Sequence, residues 1–442
     1  MRLIGVLAFA FLVSIPASGR AQSDGLRGSL EQVFGDVLDL ELAGPQDTEH
    51  GDHFRPANVG ASARIIDALG NFISASASSF PLSSTTPGVT FDFSSGVPVA
   101  ATTSAGPIFA ENATTIGRGG FTFGGTVSQL NLAKLRGIRT QDLVFAFTHE
   151  DVREPGLGDS PNEYDYIELN MDLDLSATVA AFQATYGLMD RVDLGIAVPF
   201  VSISMQGDPV ARLNSYTFAS TDTANHFFEG GTPTAPILTL RPTPLDESAS
   251  GIGDISLRGK AHLYAGARGD VALLLEARLP TGDENNFLGS GSASFKTMFI
   301  TSGQWGGNNP HLNLAYDRRS SELQRDQFEL TWGFDQKATE ALTIVVEWSG
   351  EFDLGNEIDE LKFPGLTPIG AYAGANGKPY AAQYVTPSNI PNRSQDNIMN
   401  SAVGVKYTPN PKLTLIANVI FPLNDGGLRS SWIPTVGLSM SL

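Results

Sequence analysis

The chain has 442 residues, 47 glycines, no cysteine and a formal net charge of −19. The lack of cysteine excludes a disulfide framework, a thiolate metal site and a lipid-modified N-terminal Cys. An acidic balance without any Lys/Arg-rich patch argues against nucleic acid and anionic lipid surfaces as partners.

Residues 1–21 have the layout of a secretory signal: Arg2 is a short basic region, Leu3–Ile15 an apolar core, and Gly19 and Ala21 flank a cut after Ala21. The mean hydropathy is −0.04, and no long apolar run follows this segment, so no helical membrane span is expected.

Residues 22–119 differ from the rest. Leu26, Leu30, Val33, Phe34, Val37 and Leu38 recur at helical steps. Ala61–Ser76 has the pattern of a second helix, with Ile65, Ile66, Leu69 and Ile73 on one face. A Ser/Thr/Gly/Pro-rich stretch, Ser74–Pro107, holds a short hairpin around Val89–Phe93 and Val97–Thr103. This is too little core for an independent domain. It reads as a partly helical plug, or a periplasmic extension packed against something larger.

From Gly120 onward twelve segments read as strands: 120–131, 163–188, 192–205, 252–266, 270–282, 291–302, 310–318, 326–336, 342–354, 396–408, 412–423 and 431–442. The second sets the pattern. Ile167, Leu169, Met171, Leu173 and Leu175 alternate with Glu168, Asn170, Asp172, Asp174 and Ser176, which puts an apolar wall on one face and an acidic wall on the other. The third continues with Val192, Leu194, Ile196, Val198 and Phe200. A soluble sandwich buries such a wall between two sheets, whereas a membrane barrel turns it to lipid.

Connection lengths favour the barrel. Met189–Arg191, Ala267–Gly269, Gly303–Asn309, Lys337–Ala341 and Pro409–Pro411 are short, while 132–162, 206–251 and 355–395 are long and rich in Pro, Gly, Asn and Asp. Short turns on one rim, long loops on the other and an even strand number are the outer-membrane layout. Trp332, Phe334 and Tyr407 fall near short turns, and Trp348, Phe421 and Trp432 near long loops, as two interfacial girdles would. The closing strand WIPTVGLSMSL ends on Leu442, and its Pro434 is awkward in a strand interior. Such a strand is the element the barrel-assembly machinery would engage.

The expected fold class is therefore all-β: a transmembrane antiparallel up-and-down β-barrel of about twelve strands over 120–442. Residues 1–21 are the signal peptide and 22–119 the plug or periplasmic segment. Turning the apolar parity outward leaves Glu168, Asp172, Asp174, Arg258, Lys260, Glu276, Arg278, Glu329 and Glu347 as candidate lumen-lining residues, able to filter solutes by charge or simply to keep the wall wet and rigid. No cofactor is expected. Glu49, His50, Asp52 and His53 read as a solvated loop in preference to a metal site, as do Asp283 and Glu284. No GxSxG, HExxH, Walker or helix-opening GxGxxG motif occurs, so no enzyme is expected.

The stretches GPIFAENATTIGRGGFTFG (106–124), ATYGLMDRVDLGIAVPFV (184–201), GIGDISLRGKAHLY (251–264) and LEARLPTGDENNFLGSG (275–291) resemble a bacterial family of meta-pathway phenol-degradation proteins, a group of outer-membrane β-barrel channels. The resemblance implies a place in the outer membrane of a Gram-negative bacterium, in contact with its lipid, and passive uptake of small hydrophobic or aromatic solutes. It brings no binding residues. Two other readings stay open: a non-conducting structural or adhesive barrel whose long surface loops bind a partner, and a soluble β-sandwich.

Overall fold

The structure is a computed structural model that describes residues 25–43, 54–78, 91–92, 99–100, 104–148, 165–320, 324–355, 367–370, 383–385 and 388–442. The expected signal segment, residues 1–21, and Glu49, His50, Asp52 and His53 lie outside these residues.

Twelve antiparallel strands close into a ring. They are β1 (Phe121–Leu135), β2 (Leu173–Met189), β3 (Val192–Gly207), β4 (Ile255–Ala265), β5 (Gly269–Leu279), β6 (Ser294–Gly303), β7 (Asn308–Arg319), β8 (Gln327–Lys337), β9 (Leu342–Asp353), β10 (Ile398–Asn410), β11 (Leu413–Pro422) and β12 (Ile433–Ser441). Each pairs with its neighbour in sequence, and β12 returns to β1 in the register Thr435↔Ser128 through Ser441↔Thr122. The Leu442 N–H then donates to the Phe121 carbonyl at 2.8 Å. Closure removes the unpaired edges that an open sheet would expose. A sandwich is ruled out. Pro434 is tolerated because the pairing of β12 with β1 begins one residue later, at Thr435.

Exposed apolar side chains ring the outside: Phe123 on β1, Phe182 on β2, Leu194 on β3, Leu257 on β4, Leu275 on β5, Phe299 on β6, Val403 on β10 and Val436 on β12. From Val271 to Leu279 the outward row on β5 rises about 27 Å along the strand at ~3.4 Å per residue. Tilted by about 35–45°, that row covers about 19–22 Å of the roughly 25 Å apolar band of an outer-membrane barrel. The aromatic girdles need one correction. Trp332 and Trp348 were expected at opposite rims, yet they are direct cross-strand partners with stacked rings 4.2 Å apart. The register of two strands of 11 and 12 residues sets both at mid-height.

The expected strand 163–188 is two elements. Tyr166–Asn170 pairs with Val144–Thr148 and with Val210–Asn214 in a separate four-stranded sheet beyond the long-loop rim. The chain then turns at Asp172, whose φ is +43° and whose N–H donates to Asn170 Oδ1 at 3.2 Å, before entering β2. Alternation survives the break, so a periodicity reading runs straight across it.

Helix α1 (Gly25–Leu38) and helix α2 (Phe54–Ser78) cover the helical expectations. Leu26, Leu30, Val33, Phe34, Val37 and Leu38 are all buried. They join Leu69, Phe72 and Ile73 of α2 and the inner faces of β1–β3 in one apolar core near the long-loop end. Phe91–Asp92 pairs with Val99–Ala100 within the expected hairpin.

Candidate functional site: a lumen with a charged wall and a chain segment across it

Helices and core occupy one side of the barrel interior. The other side, from β4 to β10, carries charge. Arg258, Lys260, Glu276, Arg278, Glu329 and Glu347 all sit on the inner parity of this wall, between the outward-facing Leu257, Leu275, Phe328 and Ile344. They form pairs. Arg258 Nε donates to Glu276 at 2.7 Å, Arg278 reaches the same carboxylate at 3.5 Å, and Lys296 bonds Glu329 at 2.8 Å. Pairing offsets the desolvation that leaving water imposes on each charge.

Glu168, Asp172 and Asp174 were expected in the lumen and are not there. Leu169, Met171, Leu173 and Leu175 are the buried residues of that alternation, at 2% exposure or less, and they pack in the α1–α2 core. Asp172 and Asp174 face solvent on the outer side, and Glu168 shares their parity. This part of the chain lies above the apolar band, where the outside is wet and the inside is filled by helices. Lower on β2 the usual sense holds, with Phe182, Tyr186 and Leu188 outward.

Near the short-turn rim, residues 104–120 cross the lumen and are tied to its wall. The Glu347 carboxylate accepts three backbone N–H groups, from Ile108 (3.1 Å), Phe109 (3.0 Å) and Ala110 (3.2 Å). Lys406 Nζ donates to the Ala105 carbonyl at 3.2 Å and also to that of Pro107. Asn313 clamps Glu111 in both directions, accepting its N–H at 2.7 Å and donating to its carbonyl at 3.0 Å. Lys260 Nζ donates to the Asn112 carbonyl at 3.1 Å, and the Glu111 side chain lies 3.7 Å from Arg258 and 3.8 Å from Lys260. Asp193 accepts the Ile116 N–H at 3.1 Å. Backbone bonded this way needs no secondary structure of its own. Two inward glycines make room for the segment: a Cβ at Gly187 would lie 1.7 Å from the Gly117 carbonyl oxygen, and one at Gly404 would lie 2.5 Å from Ile108 Cδ1.

Asp193, Lys296, Asn313 and Lys406 were not among the expected lumen residues, although they share the inner parity of Arg258. Glu111 carries no such signal, because its segment is not periodic. Asp283, expected in a solvated loop, accepts the Asn285 N–H at 3.0 Å and an Asn286 amide N–H at 2.7 Å, capping a short helical turn beside α1.

Three cavities run along the interior. One of about 60 Å³ lies beside Phe72 and Asp396 toward the long loops. A second of about 50 Å³ shares Ser76 and Leu428 with it. A third of about 80 Å³ touches the second at Glu351, and Phe109 and Glu111 of the crossing segment line its lower end.

A closed antiparallel ring with an apolar outside and a polar, chain-filled inside defines an outer-membrane β-barrel. Within that class, the chain belongs to the family described as "Putative MetA-pathway of phenol degradation", which matches residues 153–427. Solved structures similar to it include the COG4313 outer membrane channel from Pseudomonas putida F1 (10% identity, TM-score 0.41, covering 75% of this chain and 98% of that one). The P. putida toluene transporter TodX (9%, 0.31, 73% and 89%) and the NanC porin (8%, 0.33, 60% and 94%) are also similar. No curated protein matches the chain.

Proposed function

We propose that this protein is an outer-membrane channel for passive uptake of small hydrophobic or aromatic compounds, closed in the described conformation by its own residues 104–120. The observation that carries the reading is the row of cavities between an apolar and a charged wall, ending on a segment held by side-chain hydrogen bonds. Such a path accommodates both faces of an amphiphilic solute. A segment fixed by hydrogen bonds instead of a dry core is released by exchanging those bonds for water. The family's description names phenol degradation, which agrees with aromatic solutes. No chemical step is assigned to any residue, and an enzymatic role is not proposed.

Uptake of a labelled monoaromatic solute by cells with and without this protein tests the reading. Faster uptake with the protein is expected. Equal uptake would favour the second reading, a non-conducting structural or adhesive barrel, for which the filled lumen speaks.

A further inference from the structure

Glu351 on β9 and Arg429, in the short loop strand Leu428–Ser430, both line the cavity of about 50 Å³. They carry opposite charges, yet form no ion pair with each other. Arg429 Nη2 is engaged by the Met399 carbonyl at 3.2 Å and by Asn400, while its buried Nε has no hydrogen-bond partner among the described residues. Ser430, 5% exposed on the same wall, has an Oγ in the same condition. The rest of the lining is mostly apolar, with Leu130, Leu132, Ile398, Ile420, Leu428 and Ile433; its other polar side chains are engaged, Ser76 with the Leu428 carbonyl and Asn400 with Arg429. Buried polar atoms left without partners are uncommon and costly.

We infer that this cavity is a solute subsite selective for a small, neutral, mostly apolar molecule carrying one hydroxyl group. A hydroxyl both donates and accepts, so it fits between a carboxylate that only accepts and a guanidinium that only donates. A carboxylate-bearing solute meets repulsion from Glu351. A plain hydrocarbon leaves Arg429 Nε and Ser430 Oγ unpartnered, and a site built to bond a hydroxyl rejects the analogue that lacks it. Room for a ring comes from the neighbours. An apolar cavity of ~150 Å³ holds benzene, and the spaces of about 60 and 80 Å³ adjoin at Leu428 and Glu351, so rotation of these side chains joins them. The inference rests on the lumen being a solute path.

The test is equilibrium binding of benzyl alcohol, toluene and benzoate to the full-length protein folded in detergent micelles, read by saturation-transfer NMR. Benzyl alcohol should bind saturably, with toluene and benzoate weaker by on the order of tenfold, as leaving one buried polar group unpaired implies. Glu351→Ala and Ser430→Ala should each remove the preference while keeping heat-modifiable migration. Equal binding of benzyl alcohol and toluene, no saturable binding (a site for water only), or an unchanged preference in both variants overturns the inference. Solute flux into proteoliposomes, measured in parallel, separates the two claims: flux without the preference sinks the subsite alone, and the preference without flux sinks the channel alone.

Discussion

Glu347 accepts the N–H of Ile108 at 3.1 Å, and the two residues are 239 positions apart in sequence. One carboxylate on a barrel strand thus holds the start of the segment that crosses the lumen, with two more N–H groups on the same side chain.

Removing that carboxylate should loosen the crossing. Glu347→Ala is expected to raise single-channel conductance in planar bilayers several-fold, with Glu347→Gln in between because its amide keeps one acceptor. Identical conductance in all three proteins would mean that this latch does not control the opening.

Tethering should do the reverse. The Ala113 N–H lies 3.3 Å from Ser302 Oγ, and the chain has no cysteine of its own. Cysteines placed at both positions and joined by a short thiol cross-linker are expected to hold solute flux in proteoliposomes at a minimum, with a reducible linker restoring it. Undiminished flux in the cross-linked protein would show that solutes pass without this segment moving.

Ion selectivity distinguishes the two acidic sets. Asp172→Asn with Asp174→Asn should leave the reversal potential unchanged, since both carboxylates face outer solvent. Glu329→Gln should shift it toward anions by freeing Lys296 from its 2.8 Å pair. A shift from the first pair of substitutions would return those aspartates to the conducting path.

Arg136 is 2% exposed, bonds Asp396 at 2.6 Å and stacks 5.2 Å from the Phe72 ring, so it joins β1, a long loop and α2. Arg136→Ala leaves Asp396 buried without its partner, a loss of about 3–5 kcal/mol for a buried pair. The midpoint of urea unfolding, followed by heat-modifiable migration, should fall accordingly; an unaltered midpoint would make the pair energetically idle.

On the outer face, Leu275→Arg should cost about 2–4 kcal/mol in a lipid bilayer, as a charge near the mid-plane does. The same substitution should be far milder at Asp174, above the apolar band. Equal effects at both sites would contradict the position of the band.

Alternation, turn lengths and strand parity are local, so the sequence alone determined that Gly120–Leu442 forms an even set of hairpins with one apolar and one polar face. The sequence also carried the helical period of Leu26–Leu38 and the inner parity of Arg258 and Glu276. What it left open is which face of a ribbon points inward. Hydrocarbon outside and a helix inside reward a buried leucine equally, so Leu173 and Leu194 look alike in sequence while one packs on α1 and α2 and the other faces out. Only the tertiary structure decided that, because only the closed ring brings the N-terminal helices against β1–β3 and sets Glu347 opposite a non-periodic segment more than two hundred residues earlier.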